Sequence, residues 1–153
     1  MPTELSVRAT HEEGLRFSMT AREHTVTTDY PLQPGEAGAG MRSLELLLAS
    51  LASCAGGSMV VLLRKLKQPA QGVDVNVQAV RRDQHPTLLT EIAMEFVVRG
   101  TGLDHDVVAR ALAQAEDQIC PVWAMLKGGT RITSSLRITE RPATSGSPDG
   151  STA

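Results

Sequence analysis

The stretch Leu44-Glu45-Leu46-Leu47-Leu48-Ala49-Ser50-Leu51-Ala52-Ser53-Cys54 decides how the rest of the chain is read. It opens an apolar segment that continues to about Lys67 and first turns strongly charged at Arg64-Lys65. Ser43 stands before it as a candidate N-cap. A helix that is hydrophobic on nearly every side must be buried on nearly every side, so this segment reads as the central element of the fold. Glu45, Arg64 and Lys65 interrupt it, and its small and polar residues make it a poor membrane span.

Short strands are expected before this helix. Leu5 and Val7 alternate with polar residues, Glu12-Glu13-Gly14 is a turn, and Leu15, Phe17 and Met19 alternate again. Ala21-Arg22-Glu23 makes a second bend, and His24 to Asp29 resumes an extended, threonine-rich pattern. Pro31 to Met41, with Pro34, Gly35, Gly38 and Gly40, is a loop. After the helix, Val73 to Val77 and Ile92 to Val98 form a hairpin around the polar turn Arg81 to Pro86. Val107, Val108, Ala111, Leu112 and Ala115 recur at helical spacing after Asp104, predicting a second, amphipathic helix that ends near Gln118. Pro121 can open a short third helix to Lys127, and Ile132 to Ile138 alternates as a last strand. The order β-β-β-α-β-β-α-β predicts an α+β fold. Residues 1–140 read as a single domain and 141–153, rich in Pro, Ser, Gly and Thr, as a disordered tail.

A length of 153 residues with 41% apolar and 21% charged residues is that of one ordinary globular domain. A net charge of -2 and scattered arginines argue against a nucleic-acid surface. The start Met1-Pro2-Thr3-Glu4-Leu5 does not read as a secretory signal, so a cytoplasmic location is expected. In a reducing compartment two cysteines are more often catalytic or free than joined in a permanent structural disulfide. Cys54 lies within the apolar helix and Cys120 at a chain break before Pro121. Thiols in such different settings suit redox chemistry in which one attacks and the other resolves. The plain alternative is a pair of ordinary buried cysteines. His11, His24, His85 and His105 lack ligand-like spacing, so no zinc site is expected.

The run from Leu44 to Cys54, together with Cys120-Pro121-Val122, resembles the two cysteine motifs of the OsmC/Ohr superfamily, which includes organic hydroperoxide reductases and osmotically induced peroxidases. The hairpin segment Arg82-Asp83-Gln84-His85-Pro86-Thr87-Leu88-Leu89-Thr90 resembles the OsmC-like branch, and the similarity runs from about Leu15 to Ile138. The resemblance implies an intertwined homodimer with two buried central helices and active sites at the interface. It also implies a thiol peroxidase that needs no cofactor: Cys54 reduces an organic hydroperoxide or H2O2, and Cys120 closes a disulfide. A dithiol, lipoyl-type or another small thiol, reopens that disulfide.

In the family an arginine activates the attacking thiol and a glutamate orients the arginine. Glu45 matches the glutamate; an acid in a first helical turn also simply favours the helix dipole. Nine residues of helix separate Glu45 from Cys54, about 13 Å along the axis and on opposite sides, so any joint role runs through a bridging residue or the partner chain. The family's Gly-Gly-Arg loop is replaced here by Met19-Thr20-Ala21-Arg22-Glu23-His24. Arg22 occupies a corresponding place and Arg42 is a second candidate. Trp123 stands where family members usually carry a small residue, either packing in the core or narrowing a pocket. Met59 and Met125 read as core fillers. The rival reading is a small-molecule-binding protein of the same fold without peroxidase turnover.

Overall fold

In a computed structural model, residues 3–140 are described; the expected tail at 141–153 lies outside them. The described residues divide after Ser50, within the long helix, into two compact units.

The first unit is an antiparallel meander of β1 (Arg8–His11), β2 (Phe17–Ala21) and β3 (His24–Thr28). The first strand begins at Arg8, which faces Thr20 of β2, rather than around Leu5. A strand persists only where a neighbour takes its hydrogen bonds, and Leu5 and Val7 are left exposed. Ala21 pairs with His24, so Arg22 and Glu23 form a two-residue hairpin turn in which Arg22 adopts φ 55°. The Pro31–Met41 loop returns to β3: the Asp29 N–H donates to the Met41 carbonyl at 3.1 Å.

The long helix α1 spans Ser43–Lys65. The cap is one residue earlier than expected. The Arg42 carbonyl accepts the Leu46 N–H at 3.0 Å, and the Arg42 N–H donates to Glu45 Oε2 at 2.8 Å, the reach-back half of a capping box. By length and composition α1 could cross a membrane, but its buried residues Leu51, Ala55, Met59, Leu62 and Leu63 are core side chains of this fold.

In the second unit, β4 (Ala70–Arg81) and β5 (Leu89–Gly100) form a long antiparallel hairpin, and β6 (Arg131–Thr139) lies parallel to β5. Register places Val75, Phe96 and Leu136 in one row across the three strands. Phe96, Met94, Ile92 and Val98 of the central strand are almost wholly buried, since only a middle strand is covered on both edges. The opposite face is polar: Glu95 accepts from Asn76 at 2.9 Å and from Arg137 at 3.0 Å, and Arg99 spans both oxygens of Asp74. A parallel pair needs a crossover, and helices supply it. The α2 helix (His105–Gln114) is capped by Asp104 Oδ1, which accepts the Asp106 and Val107 N–H groups. A π-helical turn (Ala115–Ile119) and the short α3 (Pro121–Leu126) follow. The chain is thus α+β with two small sheets, in the element order expected from the sequence.

Candidate active site

Cys54 and Cys120, 66 residues apart in sequence, are brought together: both are free thiols, and the Cys120 Sγ–H donates to Cys54 Sγ at 3.1 Å. Two local features of the chain place them. On α1, Gly56 lies close to β4, where a Cβ would stand 3.1 Å from Val75 Cγ2; the missing side chain lets the helix settle against the sheet. Ser58 Oγ donates to the Cys54 carbonyl at 2.9 Å.

Cys120 occupies a junction. Its N–H closes the π-helical turn on the Ala115 carbonyl at 2.9 Å, and its backbone then turns extended, φ -75° and ψ 107°. That conformation is what a following proline favours, and Pro121 starts α3 immediately. The Cys120 sulfur is therefore also the cap of α3, accepting the Trp123 N–H at 3.4 Å. Trp123 itself is buried, the core role among its two expected ones.

The two thiols differ in exposure, and the one on the apolar helix is the more exposed. Cys54 is half-buried, while Cys120 is only 2% exposed. Burial pushes the Cys120 thiol above its ordinary pKa; the Trp123 N–H works against that shift, and the neighbouring Cys54 adds to it. The arrangement can close a disulfide, since the sulfurs need to approach by only about 1 Å to reach a normal S–S bond of about 2.05 Å.

The other expected site residues stand as follows. One carboxylate oxygen of Glu45 accepts the Arg42 N–H at the cap of α1. Arg22 lies exposed at the tip of the β2–β3 turn, and the Arg42 guanidinium stacks 4.9 Å over the Tyr30 ring. Met59 is buried, but Met125, expected in the core, is 74% exposed on α3. A helix of six residues cannot bury every side, and α3 turns Trp123 inward instead.

Two acids escaped the sequence reading. Asp29 is buried, and its Oδ2 accepts the Ala39 N–H at 2.9 Å and faces Arg16 Nε at 3.4 Å. The Ala39 N–H, joined by Arg16 and opposed by partial desolvation, holds the Asp29 carboxyl below its usual range. Glu116, in the π-helical turn, is pushed up by burial, with the Ser134 side chain working the other way; its Oε1 has no hydrogen-bond partner among the described residues. Neither acid carries a local motif. Asp29 meets Arg16 only because β2 and β3 fold back on each other, and Glu116 looks like one polar residue of an amphipathic helix. Among the described residues, no group of three or more His, Cys, Asp or Glu is arranged to hold a metal ion.

The comparisons with known proteins agree with this architecture. Protein YhfA of Escherichia coli K12 is 29% identical over 136 residues, covering 88% of this chain and 98% of that protein. The fold is similar to an OsmC-like protein from Mycoplasma pneumoniae, at a TM-score of 0.81 and 16% identity over 92% of this chain and all of that one. It is also similar to the organic hydroperoxide resistance protein OhrB of Bacillus subtilis, at a TM-score of 0.64 and 17% identity over 88% of this chain and 98% of that one. The sequence model of the OsmC-like protein family matches residues 35–135, a span that holds both cysteines, and the chain belongs to that family.

Proposed function

We propose that this protein is a thiol-dependent peroxidase that reduces organic hydroperoxides or H2O2. The observation that carries the reading is the 3.1 Å separation of two free thiols of unequal exposure. The Cys54 thiolate attacks the O–O bond, becomes a sulfenic acid and releases alcohol or water. Cys120 attacks the sulfenic sulfur, water leaves, and a Cys54–Cys120 disulfide results. An external dithiol, lipoyl-type or another small thiol, restores both thiols by exchange, being itself oxidised to a disulfide.

The working form in this proposal is a cytoplasmic homodimer with one site per chain. The exposed apolar side chains Phe17 and Val26 on the first sheet support a self-association surface. Arginine activation of Cys54, by Arg22 or Arg42 and with Glu45 as the orienting acid, belongs to the same proposal. Similarity in fold to an organic hydroperoxide resistance protein supports the substrate class.

The test is peroxide consumption with a dithiol present, using cumene hydroperoxide and H2O2. Wild type should turn over both thiols' worth of oxidant repeatedly, and Cys54→Ser should be inert. Mass spectrometry after one equivalent of peroxide should show a loss of two hydrogens. An unchanged mass with no turnover would leave a binding protein of the same fold.

A further inference from the structure

A resolving thiol has no work until the attacking sulfur has been oxidised, yet Cys120 already interacts with Cys54 in the reduced protein. Its sulfur is fixed from both sides: it accepts the Trp123 N–H at 3.4 Å and donates its own S–H to Cys54 Sγ at 3.1 Å. The accepting cysteine is the half-buried one, whereas the donor is buried. Hydrogen bonds to the charged form of a group favour that form.

We propose that Cys120 acts before it resolves: its S–H holds Cys54 as the attacking thiolate and then supplies the proton for the alcohol that leaves. This rests on the peroxidase reading above. The steps balance. The Cys54 thiolate takes the terminal OH of ROOH, the O–O bond breaks, and RO⁻ departs. RO⁻ takes the proton from Cys120 and becomes ROH, leaving a Cys120 thiolate. That thiolate attacks the sulfenic sulfur, the S–S bond forms, and hydroxide leaves to become water with a solvent proton. The sequence also removes a difficulty. Burial keeps the Cys120 thiol protonated at neutral pH, and the strongly basic alkoxide is what deprotonates it at the moment a second nucleophile is needed. The buried N–H of Trp123 then faces the new sulfur anion.

The experiment compares wild type with Cys120→Ala and Cys120→Ser in two reactions of Cys54 that need no resolver. One is alkylation of the Cys54 peptide by iodoacetamide at neutral pH; the other is single-turnover sulfenic acid formation, trapped with dimedone. Both rates should fall about tenfold in Cys120→Ala, the scale of one hydrogen bond to a charged group. Cys120→Ser, which keeps a donor, should recover part of the loss. Wild-type rates in Cys120→Ala would overturn the proposal, as would equal losses in the alanine and serine variants, which would mark a packing effect. If the alanine variant does not fold, the infrared S–H band of Cys120 decides: it should lie at lower frequency in wild type than in Cys54→Ala, and identical bands would overturn the proposal. Alkylation and the infrared band require no peroxide, so a failure of the peroxidase reading is seen separately.

Discussion

Gly56 of α1 lies so close to β4 that a Cβ there would stand 3.1 Å from Val75 Cγ2. Two residues earlier on the same helix is Cys54, so this approach sets how closely the helix turn that carries Cys54 lies to β4. Replacing Gly56 with leucine forces a large side chain into a filled interior position, and overpacking of that kind costs about 1–3 kcal/mol. Gly56→Leu should unfold at lower urea than wild type and close the Cys54–Cys120 disulfide more slowly, as followed by mass spectrometry after a peroxide pulse.

Oxidation should also be visible as stability. A disulfide between Cys54 and Cys120 closes a loop of about 66 residues, and loop-closure entropy predicts about 4 kcal/mol of stabilisation before any native-state strain is subtracted. The oxidised protein should melt above the reduced one in calorimetry, and Cys120→Ser should show no such difference.

Glu116 has a folded-state pKa raised above the ordinary 4.5, chiefly by burial. Its contribution to stability is therefore complete below the unfolded value and is lost as pH rises through the folded one. Glu116→Gln removes that loss. The variant should be more stable than wild type at pH 7 by no more than about 1 kcal/mol, because solvent screens a partly exposed carboxylate. Urea titrations at a series of pH values should show the gain disappearing at the acid end.

Asp29 has the opposite sign. The Ala39 N–H, with Arg16, lowers its pKa below 3.8, so its contribution is present above the unfolded value and is lost as pH falls through the folded one. Asp29→Asn should lower stability at pH 7, and the gap from wild type should narrow in strongly acidic solution. The Arg16–Asp29 pair joins the start of β2 to the end of β3, so hydrogen exchange in those strands is the measurement to follow.

Arg22 separates a backbone effect from a side-chain effect. It holds φ 55° in a two-residue turn, a conformation costing a non-glycine residue about 1–2 kcal/mol that glycine avoids. Arg22→Gly should leave stability unchanged or raise it by up to about 1 kcal/mol, part of the relief being offset by the freer unfolded chain. A fall in peroxide turnover in a variant that folds this well would report the guanidinium alone.

The elements with a strong period were legible from the chain. The apolar run before and after Cys54 was legible as a helix, though only part of it is buried among the described residues; the Val73–Val77 and Ile92–Val98 alternations were legible as half-covered strands, and Cys120-Pro121 as the break in a helix. Edges were less so: β1 starts only at Arg8, where pairing with β2 begins, and the cap of α1 moved to Arg42 because Glu45 reaches back to it. Met125 shows the same limit, since only packing selects which apolar residue of a six-residue helix turns inward.

The sequence by itself determined the order of elements and the identity of the two thiols, because these follow from local period and from residue types in fixed order, and the resemblance of its two cysteine motifs pointed to the family. What tertiary structure alone decided was their relation. The hydrogen bond from Cys120 to Cys54 spans 66 residues and depends on how α1 and the π-helical turn are carried by one sheet. The shift of Asp29 arises likewise from the Ala39 N–H and Arg16, and that of Glu116 from burial, which the Ser134 side chain opposes. Distance and desolvation are properties of the packed chain, and no one-dimensional pattern contains them.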